Sequence, residues 1–120
     1  MKKRRKSILC IDKSVLVLGI LGSALRTRGF AVLCANDGQA GLAMMDTTPI
    51  DAVIVDLEMP GMNGIAVARR IKATKAEIPI ILFTGEVPGL VKELPQEINH
   101  FVAKPDLAKL LSTVTKSTSK

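Results

Sequence analysis

The sequence predicts an α/β protein: a (βα)5 doubly wound, five-stranded parallel sheet in a single domain. Three observations point there. Short runs rich in Ile, Val and Leu alternate with longer segments of helical period. Those runs lack polar alternation, as strands buried on both faces do. The chain has 120 residues, the length of one domain, and no repeat or low-complexity linker interrupts residues 7–111.

The strand runs are Ile8–Asp12, Ala31–Ala35, Ala52–Asp56, Ile78–Phe83 and Ile98–Ala103. The first helix is expected over Lys13–Arg28, with apolar residues at 17, 20, 21, 24 and 25 facing the sheet and Gly29 stopping it. Its other side then presents Val15, Leu18, Gly19 and Gly22 as a surface for a partner. A second helix is expected over Asp37–Asp46, closed by Thr47, Thr48 and Pro49. A third runs Asn63–Thr74, opening on a good N-cap residue. Glu86–Leu94 is a poor helix, since Pro88, Gly89 and Pro95 leave room for about two irregular turns. The last helix, Pro105–Ser117, has Leu107, Leu110, Leu111 and Val114 at core spacing. The expected division is a basic head at 1–6, one domain over 7–116 and a short tail at 117–120.

Composition narrows the function. Seventeen Lys and Arg oppose eleven Asp and Glu, a net charge of +6, yet Lys2–Lys6 supply five of those cations. Without them the balance is twelve against eleven, so the basicity belongs to a solvated head and not to the fold. With three Phe and no Trp or Tyr, the chain lacks the rings of a base-stacking surface, and no nucleic-acid partner is expected. The apolar stretch Val15–Leu25 follows Asp12 and Lys13 and has eleven residues, against about 20 for a bilayer span. A cytoplasmic protein without a membrane partner is the expectation. Cys10 and Cys34 lie in apolar runs without metal-ligand spacing or a CxxC motif, and read as small buried hydrophobes in a reducing compartment. His100 reads as structural.

In a doubly wound sheet, ligands bind outside the carboxyl ends of the strands. Those ends carry Asp12, Asp56, Thr84 and Lys104. Two carboxylates suit Mg²⁺, which takes one or two from a protein and keeps several waters. A carboxylate is also a nucleophile that forms an aspartyl phosphate, while an ammonium and a hydroxyl stabilise phosphoryl oxygens. Each residue alone is a common loop residue; four at four strand ends are far more specific.

From Ser7 to about Val114 the chain resembles the receiver domain of bacterial response regulators. The stretch Val53–Gly64, VIVDLEMPGMNG, looks like the family's phosphoacceptor segment, with Asp56 matching the acceptor and Met59–Pro60–Gly61 the turn behind it. Thr84 matches the family's Ser/Thr, Lys104–Pro105 its Lys-Pro (commonly cis), and Phe101 its rotating aromatic switch. Separations of 44, 28 and 20 residues along Asp12, Asp56, Thr84 and Lys104 are similar to the family's. The resemblance implies a flavodoxin-like fold and a phosphorelay switch, not an enzyme. A histidine kinase or phosphotransfer protein would phosphorylate Asp56, Mg²⁺ would be held by Asp12, Asp56 and the Glu58 carbonyl, and a downstream protein would read the result.

Two departures stand out. Lys13 occupies the place of the family's second acid, so Mg²⁺ is expected to bind weakly and Lys13 to bridge to Asp56 or Asp12. The stretch from Gly85 to Asn99 lacks the family's regular fourth helix. The alternative is a pseudo-receiver, a binding module that signals without Mg²⁺ or phosphate because of Lys13. A phosphohydrolase of haloacid-dehalogenase type needs a second Asp two residues after its nucleophile, and Glu58 stands there instead.

Overall fold

The computed structural model describes residues 4–85 and 93–119. Five strands, β1 (Ser7–Ile11), β2 (Ala31–Ala35), β3 (Ala52–Val55), β4 (Ile80–Thr84) and β5 (His100–Ala103), form one sheet in the order β2-β1-β3-β4-β5. Every pairing is parallel. Helices α1 (Val15–Thr27), α2 (Gly38–Thr47), α3 (Gly64–Thr74) and α4 (Leu107–Thr118) cover both faces.

Alternating side chains explain why β2 and β3 are apolar throughout and β1, β4 and β5 are apolar but for one terminal residue each. Leu9, Ile11, Val53, Val55, Ile80 and Leu82 join Met45, Val67 and Ile71 in a core beneath α2 and α3. Ile8, Cys10, Ile54, Ile81 and Phe83 join Leu18, Leu21, Leu25, Leu110 and Val114 beneath α1 and α4. The strand order reverses between β1, with β2 on one side, and β3 on the other, so the crevice opens at the carboxyl ends of β1 and β3.

Caps set the helix ends. The side chains of Ser14, Asp37, Asn63 and Asp106 accept from the Val17, Ala40, Ala66 and Lys109 amides. The last helix therefore starts after Asp106, not at Pro105, and the Lys104–Pro105 bond is cis. Gly29 ends α1 at φ +92°, a conformation that favours glycine. Strand β4 begins two residues later than expected, because Ile78 closes a turn onto the Lys75 carbonyl. Strand β5 also starts two residues late. The Asn99 amide donates to the Ile80 carbonyl while its side-chain oxygen accepts from the Ile80 amide, replacing a ladder rung.

The face assigned to α1 needs correction. Leu18, Leu21, Gly22 and Leu25 are buried, whereas Val15, Leu16 and Ile20 are 70%, 75% and 50% exposed. Leu18 and Gly22 thus belong to the core and Ile20 to the surface. From Val15 to Gly22 the helix carries no polar residue, so no periodic contrast marked which side was inside. Residues 86–92 of the expected poor helix lie outside the described residues. No helix among the described residues is long and apolar enough to cross a membrane.

The described part of the basic head, residues 4–6, lies away from the crevice. Arg4 pairs with Asp51 at 3.1 Å and the Ser7 amide donates to the same carboxylate at 2.7 Å, both at the amino edge of the sheet. Partial burial raises the Asp51 carboxyl, but the Ser7 amide and Arg4 outweigh it and hold it below its usual value.

Candidate functional site

Asp12 and Asp56 are the residues immediately after β1 and β3, and the backbone ladder carries them into the crevice. The Asp12 amide donates to the Ala35 carbonyl at 3.1 Å and the Asp56 amide to the Ile11 carbonyl at 3.0 Å. Both side chains are buried, at 2% and 4% exposure. Two buried carboxylates need a cation. Lys104 supplies it, its Nζ lying 2.8 Å from Asp12 Oδ2 and 3.6 Å from Asp56 Oδ2. The Lys104 amide donates to the Thr84 carbonyl at 2.8 Å, locking the ends of β4 and β5 together. Thr84 is buried, and Nζ of Lys104 sits 5.9 Å from the centre of the Phe83 ring.

All four strand-end residues named from the sequence therefore occupy one edge. Phe101 pairs in register with Leu82 and is half-buried against the core under α2 and α3. Glu58 is exposed. Lys13 is exposed too, and among the described residues it forms no ion pair, so the bridge expected from Lys13 is made by Lys104 instead. Asp12 turns Lys13 outward. Its Oδ1 accepts the Ser14 amide at 2.9 Å, which starts the chain into α1 with residue 13 at the outside of the bend.

Two contributors were not singled out from the sequence. Ser14 had a signal, since a serine three residues before a helical amide is an N-cap pattern. Gly64 had only its place at the end of the MPGMNG stretch. Its amide donates to the Leu57 carbonyl at 2.9 Å, and a Cβ there would run into the Asp56 carbonyl oxygen. Gly64→Ala is expected to destabilise the fold by about 1–3 kcal/mol through overpacking against backbone. Urea midpoints check this, and an unshifted midpoint would show that the contact relaxes freely. Gly61, at φ +78°, makes the turn between Asp56 and α3.

Among the described residues no three His, Cys, Asp or Glu side chains form a metal-holding group. Asp12 and Asp56 nonetheless fit Mg²⁺ in chemistry, being two hard carboxylates at the edge where the sheet's crevice opens.

The family model of the response regulator receiver domain matches residues 8–115. This chain belongs to that family. The receiver is 30% identical over 107 residues to the transcriptional regulatory protein GlrR of Escherichia coli, covering 88% of this chain and 24% of that protein. It is 31% identical over 107 residues to the sensory transduction protein RegX3 of Mycobacterium tuberculosis, covering 88% and 47%. The chain thus spans less than half the length of these curated relatives. In structure it resembles the response regulator TrrA of Thermotoga maritima, solved in complex with Mg²⁺-BeF. The TM-score is 0.86 and the identity 29%, covering 93% of this chain and 98% of that one. Receiver domains are signalling switches, and phosphorylation on an aspartate and Mg²⁺ binding are typical of them.

Proposed function

We propose that this receiver accepts a phosphoryl group on Asp56 from a histidine kinase or phosphotransfer protein and thereby switches a protein-binding surface. The observation that carries the reading is the Lys104 ammonium held between two buried carboxylates at the switch point of the sheet. An Asp56 oxygen attacks phosphorus, the bond to the donor's leaving group breaks, and Lys104 moves its charge from carboxylate to phosphoryl oxygens. The Thr84 hydroxyl donates to the same oxygens, and Phe101 follows Thr84 inward. Asp12, Asp56 and the Glu58 carbonyl would hold Mg²⁺, which supplies charge neutralisation for the incoming phosphoryl group. The test is labelling with a small phosphodonor, with and without Mg²⁺, read as phosphoaspartate by mass; no label under either condition would overturn it.

Lys13 favours a second reading, the pseudo-receiver. The pocket itself holds Asp12 and Asp56 against Lys104, and the exposed Lys13 at its rim brings a second cation near the place where a divalent cation would sit. Lys13→Asp is expected to tighten Mg²⁺ binding by about threefold to tenfold, tenfold being 1.4 kcal/mol, about a third of a close unit-charge contact at an intermediate dielectric. Screening of an exposed side chain sets the lower figure. Equal Mg²⁺ affinities of parent and variant would make Lys13 a bystander, and absence of label in both would establish the pseudo-receiver.

In the phosphoacceptor reading the partner surface is α1. Val15, Leu16 and Ile20 border a groove lined by Val17, Leu21, Leu107 and Pro105 that ends at Lys104. An amphipathic helix from the phosphodonor protein fits there. Leu16→Glu is expected to slow transfer from a protein donor at least ~10-fold, leaving small-donor labelling and stability unchanged. Equal slowing with both donors would place the defect in the site and not in docking.

A further inference from the structure

Cys10 and Cys34 face each other. They are register partners on the adjacent parallel strands β1 and β2, and both project into the core layer beneath α1. Parallel neighbours stand about 4.8 Å apart, within the Cα separation of about 4.4–6.8 Å that a disulfide spans. Their surroundings differ. Both are free thiols, but Cys10 is fully buried, whereas Cys34 lies on the sheet's edge strand and is half-buried. Its Sγ lies 3.9 Å from the Leu18 carbonyl. The Arg26 side chain folds back along α1 over Gly22, where a Cβ would meet its Nη1 at 2.9 Å. That glycine lets a guanidinium approach the β2 edge.

We propose that Cys34 is a hydroperoxide-oxidisable site whose sulfenic acid is closed by Cys10 into a disulfide joining β1 and β2. The Cys34 thiolate sulfur attacks one peroxide oxygen; an S–O bond forms, the O–O bond breaks, and the departing alkoxide takes a proton from water and leaves as an alcohol. The sulfur gives up two electrons and the peroxide gains them. The Cys10 sulfur then attacks the Cys34 sulfur, forming S–S and breaking S–O, and hydroxide leaves with the Cys10 proton as water. Three influences bear on the ionisation of Cys34. The neighbouring Cys10 thiol lowers it most, burial opposes, and Arg26 lowers it further, so the net shift is downward. This site uses none of the residues of the crevice, so its failure leaves the phosphoacceptor reading intact.

The experiment uses the reduced full chain. Iodoacetamide alkylation of Cys34, mapped by peptide mass, should reach half its maximal rate at a lower pH than an ordinary thiol, which does so at about pH 8.5. Hydrogen peroxide should convert the parent to a monomer lighter by two hydrogens with a Cys10–Cys34 linked peptide. Cys10→Ser should stop at a dimedone-trapped sulfenic acid on Cys34, and Cys34→Ser should leave Cys10 unreacted. An ordinary alkylation profile, or peroxide oxidation no faster than that of free cysteine, overturns the proposal. The alkylation profile needs no variant, so a misfolded mutant does not rescue it.

Discussion

Asp56→Asn is expected to abolish phosphoryl labelling while the chain stays folded. The carboxylate is the nucleophile in the proposed reaction, and an amide of the same shape has no comparable lone pair to offer phosphorus. The substitution also leaves Lys104 with a partner, since Asp12 Oδ2 is the nearer carboxylate at 2.8 Å against 3.6 Å. Only one of two neighbouring buried anions is removed, and the stability change should stay within about 1 kcal/mol. Phosphoaspartate mass analysis and urea unfolding of the same preparation separate the two effects. Undiminished label on the variant would move the acceptor elsewhere, with Asp12 the next carboxylate to examine.

Lys104→Met should be the most damaging single change to the fold at this edge. It strips the cation from two carboxylates that are buried at 2% and 4% exposure and that would then face each other uncompensated. Breaking a buried pair by removing one partner costs about 3–5 kcal/mol. Lys104 is a quarter exposed, so water relieves part of the loss and the lower end, about 3 kcal/mol, is expected. The second half of the cycle is sharper. Adding Asp12→Asn to Lys104→Met should recover much of the lost stability, because one orphaned charge goes with it. If the double variant is as unstable as the sum of the single ones, the ion pair seen at 2.8 Å contributes nothing and the packing of the lysine stem is what matters.

How far this site was legible in the sequence follows from what a strand buried on both faces looks like. Such a strand is an unbroken apolar run, so the first polar residue after it marks the carboxyl edge, and Asp12 and Asp56 were visible for that reason. Thr84 and Lys104 were visible in the same way, each closing an apolar run. The partnering of charges was not. Lys13 and Lys104 are both near an acid along the chain or across the sheet, and only the Ser14 amide's hold on Asp12 decides that residue 13 points outward. The inner face of α1 was illegible because apolar residues surround its first two turns, and Leu18 and Ile20 are chemically equivalent candidates for the core. The start of β5 was hidden because Asn99 imitates a backbone rung with its side chain.

Asp12 also has a consequence for how distant parts of the molecule communicate. One of its oxygens holds the amide that begins α1, and the other holds Lys104, which is followed directly by Pro105 and the α4 cap Asp106. A single rigid side chain thus fastens together the leading ends of the two helices that wall the apolar groove. In the proposed reaction Lys104 would transfer its attachment to a phosphoryl group, and that fastening would open on one side. The spacing of the groove walls would then record whether Asp56 is modified, and the proposed helix seated between α1 and α4 would be gripped differently before and after transfer. On that proposal docking and release would be two positions of one latch, with Asp12 its pin.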